Sequence, residues 1–161
     1  MINIKIICVG ALKEKYLKDM EKEYLKRLSK YCKIEIIELK DEKLPTVLNE
    51  SNTLIVKEKE GQAILSKLSN INSYTFVLDE NGKEYTSTLF SKKISDISVN
   101  ENSKITFVIG GSLGLSDSVK KSGNELVSFS RLTFPHQMIR VFLLEQLFRA
   151  FKIEKGETYH H

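Results

Sequence analysis

The strongest constraint in this chain is an alternation between two kinds of segment. Short runs dense in β-branched and other apolar residues cover residues 3–9, 33–39, 74–78, 104–109 and 125–129. Between and after them lie longer runs, at residues 14–30, 56–68, 87–97, 116–121 and 135–153, that read as helices. Strands that alternate with helices in this way imply an α/β fold, a mostly parallel sheet with helices on both faces. The stretch 40–53, which contains Pro45, reads as loop with some helix. With 161 residues and no internal repeat or linker, one domain spanning 1–161 is expected. A domain of that size buries a core without help from disulfides or metal.

In open α/β sheets the ligand sits beyond the carboxyl ends of the strands. Three segments leave predicted strands at that edge with unusual chemistry: Leu78-Asp79-Glu80-Asn81-Gly82, Gly110-Gly111-Ser112-Leu113-Gly114 and Ser130-Arg131-Leu132-Thr133-Phe134-Pro135. If their strands are neighbours, the three converge on one pocket.

The glycine segment fails both common phosphate-binding patterns. Gly110, Gly111 and Gly114 lack the Gly-x-Gly-x-x-Gly spacing of a dinucleotide loop, and Leu115 stands where a phosphate loop needs lysine. Two readings remain, a tight turn between strand and helix or close backbone approach to a bulky ligand that is not an anion.

The segment "LTFPHQMIRVFLLEQLFRAFKI" holds the most information. Pro135 suits a first helical position, with Thr133 placed to satisfy free donors there. His136 and Arg140, four apart, share a face with Gln137 beside them. They read either as an acid/base or anion-holding pair or as a capping histidine and a surface arginine. Further along, Glu145, Gln146, Arg149 and Lys152 group opposite Leu143, Leu144, Leu147, Phe148 and Phe151, so the apolar face changes sides midway. Such a helix touches two bodies, and a second subunit is one candidate.

Composition removes several classes of function. No apolar run approaches the roughly 20 residues that cross a bilayer, and "MINIKIICVG" reads as a strand instead of a signal peptide, which predicts a cytoplasmic protein. Cys8 and Cys32 lack metal or redox spacing and read as reduced, buried thiols. The balance of 25 Lys plus Arg against 21 Asp plus Glu, net +4, permits an RNA partner without demanding one. Many of the lysines fall in "KEKYLKDMEKEYLKRLSK", mixed with acids at helical spacing as on a solvated helix face.

Five stretches, "KIICVGALKEKY", "KEKEGQAIL", "FVIGGSLGL", "SFSRLTFPHQMIRVFLLEQLFRAFKI" and "GETYH", resemble the ribosomal RNA large subunit methyltransferase H family across the whole chain. These are small SPOUT-class enzymes that methylate N3 of a pseudouridine in 23S ribosomal RNA. The resemblance implies S-adenosylmethionine as cofactor, a homodimer, no metal, a ribosomal substrate and a C-terminal trefoil knot. Periodicity offers no hint of the knot, since threaded chains are nearly absent from proteins. The family's cofactor contacts fall on Leu78, Gly110, Phe129, Ser130, Arg131, Leu132, Thr133 and Phe134. Its chemistry would rest on His136 or His160 for proton handling, Arg140 for a phosphate or developing charge, and Tyr159 for stacking on a base. Family members usually place Lys or Arg after Tyr-His, where this sequence has His161.

Overall fold

The computed structural model describes residues 1–100 and 103–161. Its elements follow the order β1 (Ile2–Val9), α1 (Lys15–Leu28), β2 (Cys32–Leu39), α2 (Glu50–Leu68), β3 (Tyr74–Glu84), α3 (Ser87–Asn100), β4 (Lys104–Ile109), α4 (Asp117–Ser122), β5 (Glu125–Ser128) and α5 (His136–Glu154). The strands form one sheet in the order β2-β1-β4-β3-β5, and every pairing in it is parallel.

Period two in the strands divides the core between the sheet's faces. Ile4, Ile6, Cys8, Phe76, Ile105, Phe107 and Ile109 point to one side, where Leu28 of α1, Phe90 and Ile94 of α3, and Leu143, Leu144 and Leu147 of α5 cover them. Phe76 stacks on Phe107 there, with centroids 5.1 Å apart and rings 9° from parallel. Ile7, Val9, Val77 and Val108 point to the other side, against Ile64 of α2 and Val119 of α4. Burial on both faces explains why the central strands read as near-continuous apolar runs.

Three expectations are corrected. Helix α2 begins at Glu50, six residues before the predicted start, because the Asn49 side chain accepts the Asn52 N–H at 2.8 Å and caps the helix. Strand β3 runs on to Glu84, so Asp79 to Gly82 form a bulge within the strand: Leu78 and Lys83 both pair with Val127 of β5. Pro135 is the N-cap of α5 and not its first residue, and no side chain caps that end. Thr133 instead donates its hydroxyl to Glu80 at 3.0 Å.

Helix α5 buries two faces, as its sequence pattern implies. Val141 packs with Leu12 and Leu17, while Leu143, Leu144, Leu147 and Phe151 fill the core beneath α1 and α3. Within the chain, then, the two halves of the helix bury different faces against different neighbours. Cys8 and Cys32 are buried free thiols as expected, and burial pushes them up to about 11 and about 12.

Candidate functional site

Strands β4, β3 and β5 are neighbours, so the three segments singled out from the sequence do meet. They enclose a cleft of about 720 Å³ at the carboxyl edge of the sheet, within the range of small-molecule sites. Leu78, Ile109, Leu115, Val127, Phe129, Leu132, Phe134 and Ile139 give it apolar walls, and Asp79, Glu80, Ser130, Thr133 and His136 bring polar groups to its rim.

The glycine segment is a closed turn. Gly114 lies at φ +86°, and its N–H donates to the Gly111 carbonyl at 3.1 Å. A Cβ on Gly110 would stand 2.8 Å from Leu115, so the backbone itself forms this wall of the cleft. After β5, the Ser128 hydroxyl donates to the Ser130 carbonyl at 2.9 Å and the Leu132 N–H donates to Ser130 Oγ at 2.9 Å. These bonds fix a turn that leaves Leu132 72% exposed and Phe134 packed edge-on against Phe142. The turn is thus held by two serine hydroxyls, and its main chain runs along the cleft.

Seven of the eight expected cofactor contacts, Leu78, Gly110, Phe129, Ser130, Leu132, Thr133 and Phe134, line the cleft. Arg131 does not. Its side chain turns outward and pairs with Glu84 at 2.7 Å.

The four catalytic candidates divide. His136 lines the cleft, and its Nε2 and the Asp41 side chain lie 3.6 and 3.8 Å from the position of a Cβ on Gly10. Gln137 fixes the entry to the helix, accepting the Lys13 N–H at 2.8 Å. Arg140 is only 4% exposed. It binds Glu21 at 2.6 Å and Glu38 at 2.7 Å, away from the cleft. Tyr159 packs against Phe148 with centroids 4.9 Å apart and donates to Glu145 at 3.2 Å. His160 Nδ1 lies 3.2 Å from Arg149. Both tail residues therefore sit on the distal half of α5 and not in the cleft of their own chain.

Burial lowers the His136 pKa from its ordinary 6.5, Asp41 opposes the shift and Lys13 adds to it. A lowered folded value means that the unfolded chain binds the proton more readily. The stabilising contribution is complete above pH 6.5 and is lost as the pH falls through the folded pKa. His136→Gln should therefore lose less stability than the parent on acidification through this range, measured by urea unfolding at stepped pH. Parallel stability-against-pH curves would contradict it.

Sequence reasoning missed Glu60, which is 5% exposed and lies directly behind the glycine turn. Its signal was an acid at the middle of an i, i+4, i+8 stripe, Val56-Glu60-Ile64, whose three residues are all buried. The ion pair of Lys120 with Asp79, at 3.3 Å, was also missed. Nothing in local spacing links a bulge in β3 to α4.

No helix among the described residues is long and apolar enough to cross a membrane, and no cluster among them has the makings of a metal site. A family model described as "Predicted SPOUT methyltransferase" matches residues 2–160. The ribosomal RNA large subunit methyltransferase H proteins of Enterococcus faecalis and Clostridium acetobutylicum are each 55% identical to this chain over 159 residues, covering 99% of both partners. That of Clostridium perfringens is 56% identical over the same length. With three dispersed segments gathered into one cleft and similarity running end to end, the chain belongs to the SPOUT methyltransferase family and, within it, to the ribosomal RNA large subunit methyltransferase H group.

Proposed function

We propose that this protein is a 23S ribosomal RNA methyltransferase that transfers the methyl group of S-adenosylmethionine to N3 of a pseudouridine, acting on assembled ribosomes in the cytoplasm as a homodimer with a C-terminal trefoil knot. The observation that carries the reading is the cleft: seven residues expected at the cofactor line it, in a chain whose relatives carry the name of a ribosomal RNA methyltransferase over their full length.

The residues present fit the cofactor. Gly110 brings bare backbone to the cleft, Leu115 leaving no room for a side chain there, while Leu78, Phe129, Leu132 and Phe134 offer apolar cover for an adenine. Backbone groups of the Phe129–Phe134 segment would bind the adenine edge. The sulfonium supplies an already activated methyl, so the protein's tasks are alignment and proton removal. An imide N–H is largely protonated near neutrality. His136, whose pKa burial lowers, is a group in the cleft able to accept its proton.

In this reading Arg140 acts through position, holding α5 so that His136 faces the cleft. Tyr159 and His160 would reach an RNA base only at a site completed by a second subunit. With a net charge of only +4 on the chain, the ribosomal particle supplies the docking surface in this reading.

Methyl transfer to ribosomes lacking the modification, with the methylated nucleotide mapped, tests the reading directly. Label on a single large-subunit pseudouridine is expected, and label elsewhere or none refutes the specificity. Equal activity on a short stem-loop would refute the need for the particle. A calorimetric titration with S-adenosylmethionine that shows no binding would favour a non-catalytic ribosome-binding module. Single replacements of His136, Arg140, Tyr159 and His160 that all keep wild-type transfer and cofactor binding would remove the four from the mechanism.

A further inference from the structure

Glu60 is the one buried side chain among the described residues with an oxygen that lacks a hydrogen-bond partner. Its Oε2 accepts the Glu42 N–H at 3.0 Å. Its free Oε1 lies 2.9 Å from the place a Cβ would occupy on Gly111, which lines the cleft. Burial raises the pKa of this carboxyl, and the neighbouring charges that act on it, Asp41 and Glu42, are both acids. Of the two acids in the cleft lining, Asp79 pairs with Lys120 at 3.3 Å and Glu80 accepts the Thr133 hydroxyl at 3.0 Å. A carboxylate in such surroundings is expensive to keep ionised unless a positive charge comes near. The Val9 side chain, 3.2 Å from the same Cβ position, packs beside this oxygen against Gly111.

We propose that Glu60 is the group through which the cleft distinguishes the cationic sulfonium donor from the neutral thioether that remains after methyl transfer. The inference rests on the cofactor reading above. A ligand atom packed on the open side of Gly111 would lie within roughly 8 Å of Oε1, close enough at an effective dielectric of about 20 for a charge to change affinity tenfold or more. The sulfonium carries that charge and the thioether does not. Transfer of the methyl to the acceptor nitrogen, with loss of the acceptor's proton, leaves the two C–S bonds of the thioether and removes the attraction. Glu60 thereby favours loading of the donor and release of the product without touching either.

The test is calorimetric titration of the full chain with S-adenosylmethionine and, separately, S-adenosylhomocysteine. The parent is expected to bind the donor about tenfold more tightly than the product. Glu60→Gln keeps the shape and removes the charge. It should weaken donor binding about tenfold and product binding less than twofold, bringing the ratio towards one. Equal losses for both ligands, or an unchanged ratio, would overturn the proposal. If the variant does not fold, the parent alone decides, because equal affinity for the two ligands overturns it as well. Failure of the parent to bind either ligand defeats the cofactor reading itself, a result distinct from a ratio indifferent to Glu60.

Discussion

Replacing Arg140 with methionine is expected to lower folding stability by about 3 kcal/mol while the lining of the cleft stays in place. The guanidinium holds three elements together. Its Nε donates to Glu21 of α1 at 2.6 Å, and Nη1 and Nη2 donate to Glu38 of β2 at 2.8 and 2.7 Å. The arginine side chain is 5% exposed, against 18% for Glu21 and 43% for Glu38. Removing the cation leaves one carboxylate nearly buried and unpaired, which costs several kcal/mol, whereas partly exposed Glu38 recovers hydration. That difference places the expected loss at the lower end of the range for broken buried pairs. Arg140→Lys should recover only part of it, because an ammonium cannot serve both acids with the planar fork of a guanidinium. Urea denaturation gives the answer as a shift in midpoint at constant slope. Unchanged stability together with lost methyl transfer would return Arg140 to the chemistry.

The same residue shows where sequence reasoning stops. Helical periodicity correctly put His136 and Arg140 four apart on α5, but one turn of helix is also enough to move a side chain from the cleft to the interior. What decides between them is the pair of acids contributed by α1 and β2, which lie 119 and 102 residues away along the chain. No local pattern reports such a partner. The strands, by contrast, were legible because burial on both faces writes itself into the sequence as unbroken apolar runs, and the three segments that line the cleft were legible because each follows such a run. The change of sides along α5 was read correctly as two contacts, and within the chain Leu12 and Leu17 meet one while the core under α1 and α3 meets the other. Periodicity records that a face is covered and not what covers it. The unusual composition of Leu78 to Gly82 was visible as well. Its continuation as strand was not, since four residues looped between two partners of Val127 depend on β5 being next door.

That bulge makes Gly82→Ala the substitution with the other large expected effect. A Cβ there would stand 2.6 Å from the Val127 nitrogen and 2.7 Å from the Leu126 and Val127 carbonyl carbons. These are backbone atoms of β5, unable to rotate away as a side chain can, so relief requires the strand to shift. Moving β5 disturbs its ladder with β3 and carries with it Val127 and Phe129, two walls of the cleft. Overpacking of this severity costs about 3 kcal/mol, which in a chain of this length corresponds to a fall in melting temperature of about 6–12 °C. Cofactor affinity should fall with it. Gly114→Ala is the informative contrast: nothing lies within 4 Å of a Cβ there, and its φ of +86° alone disfavours a side chain. Its cost should be about 1–2 kcal/mol. If the two variants melt together, the clash at Gly82 is absorbed by local movement and the bulge does not depend on the position of β5. If Gly82→Ala melts well below Gly114→Ala and also binds the cofactor less tightly, the close approach of β3 to β5 is what shapes the cleft.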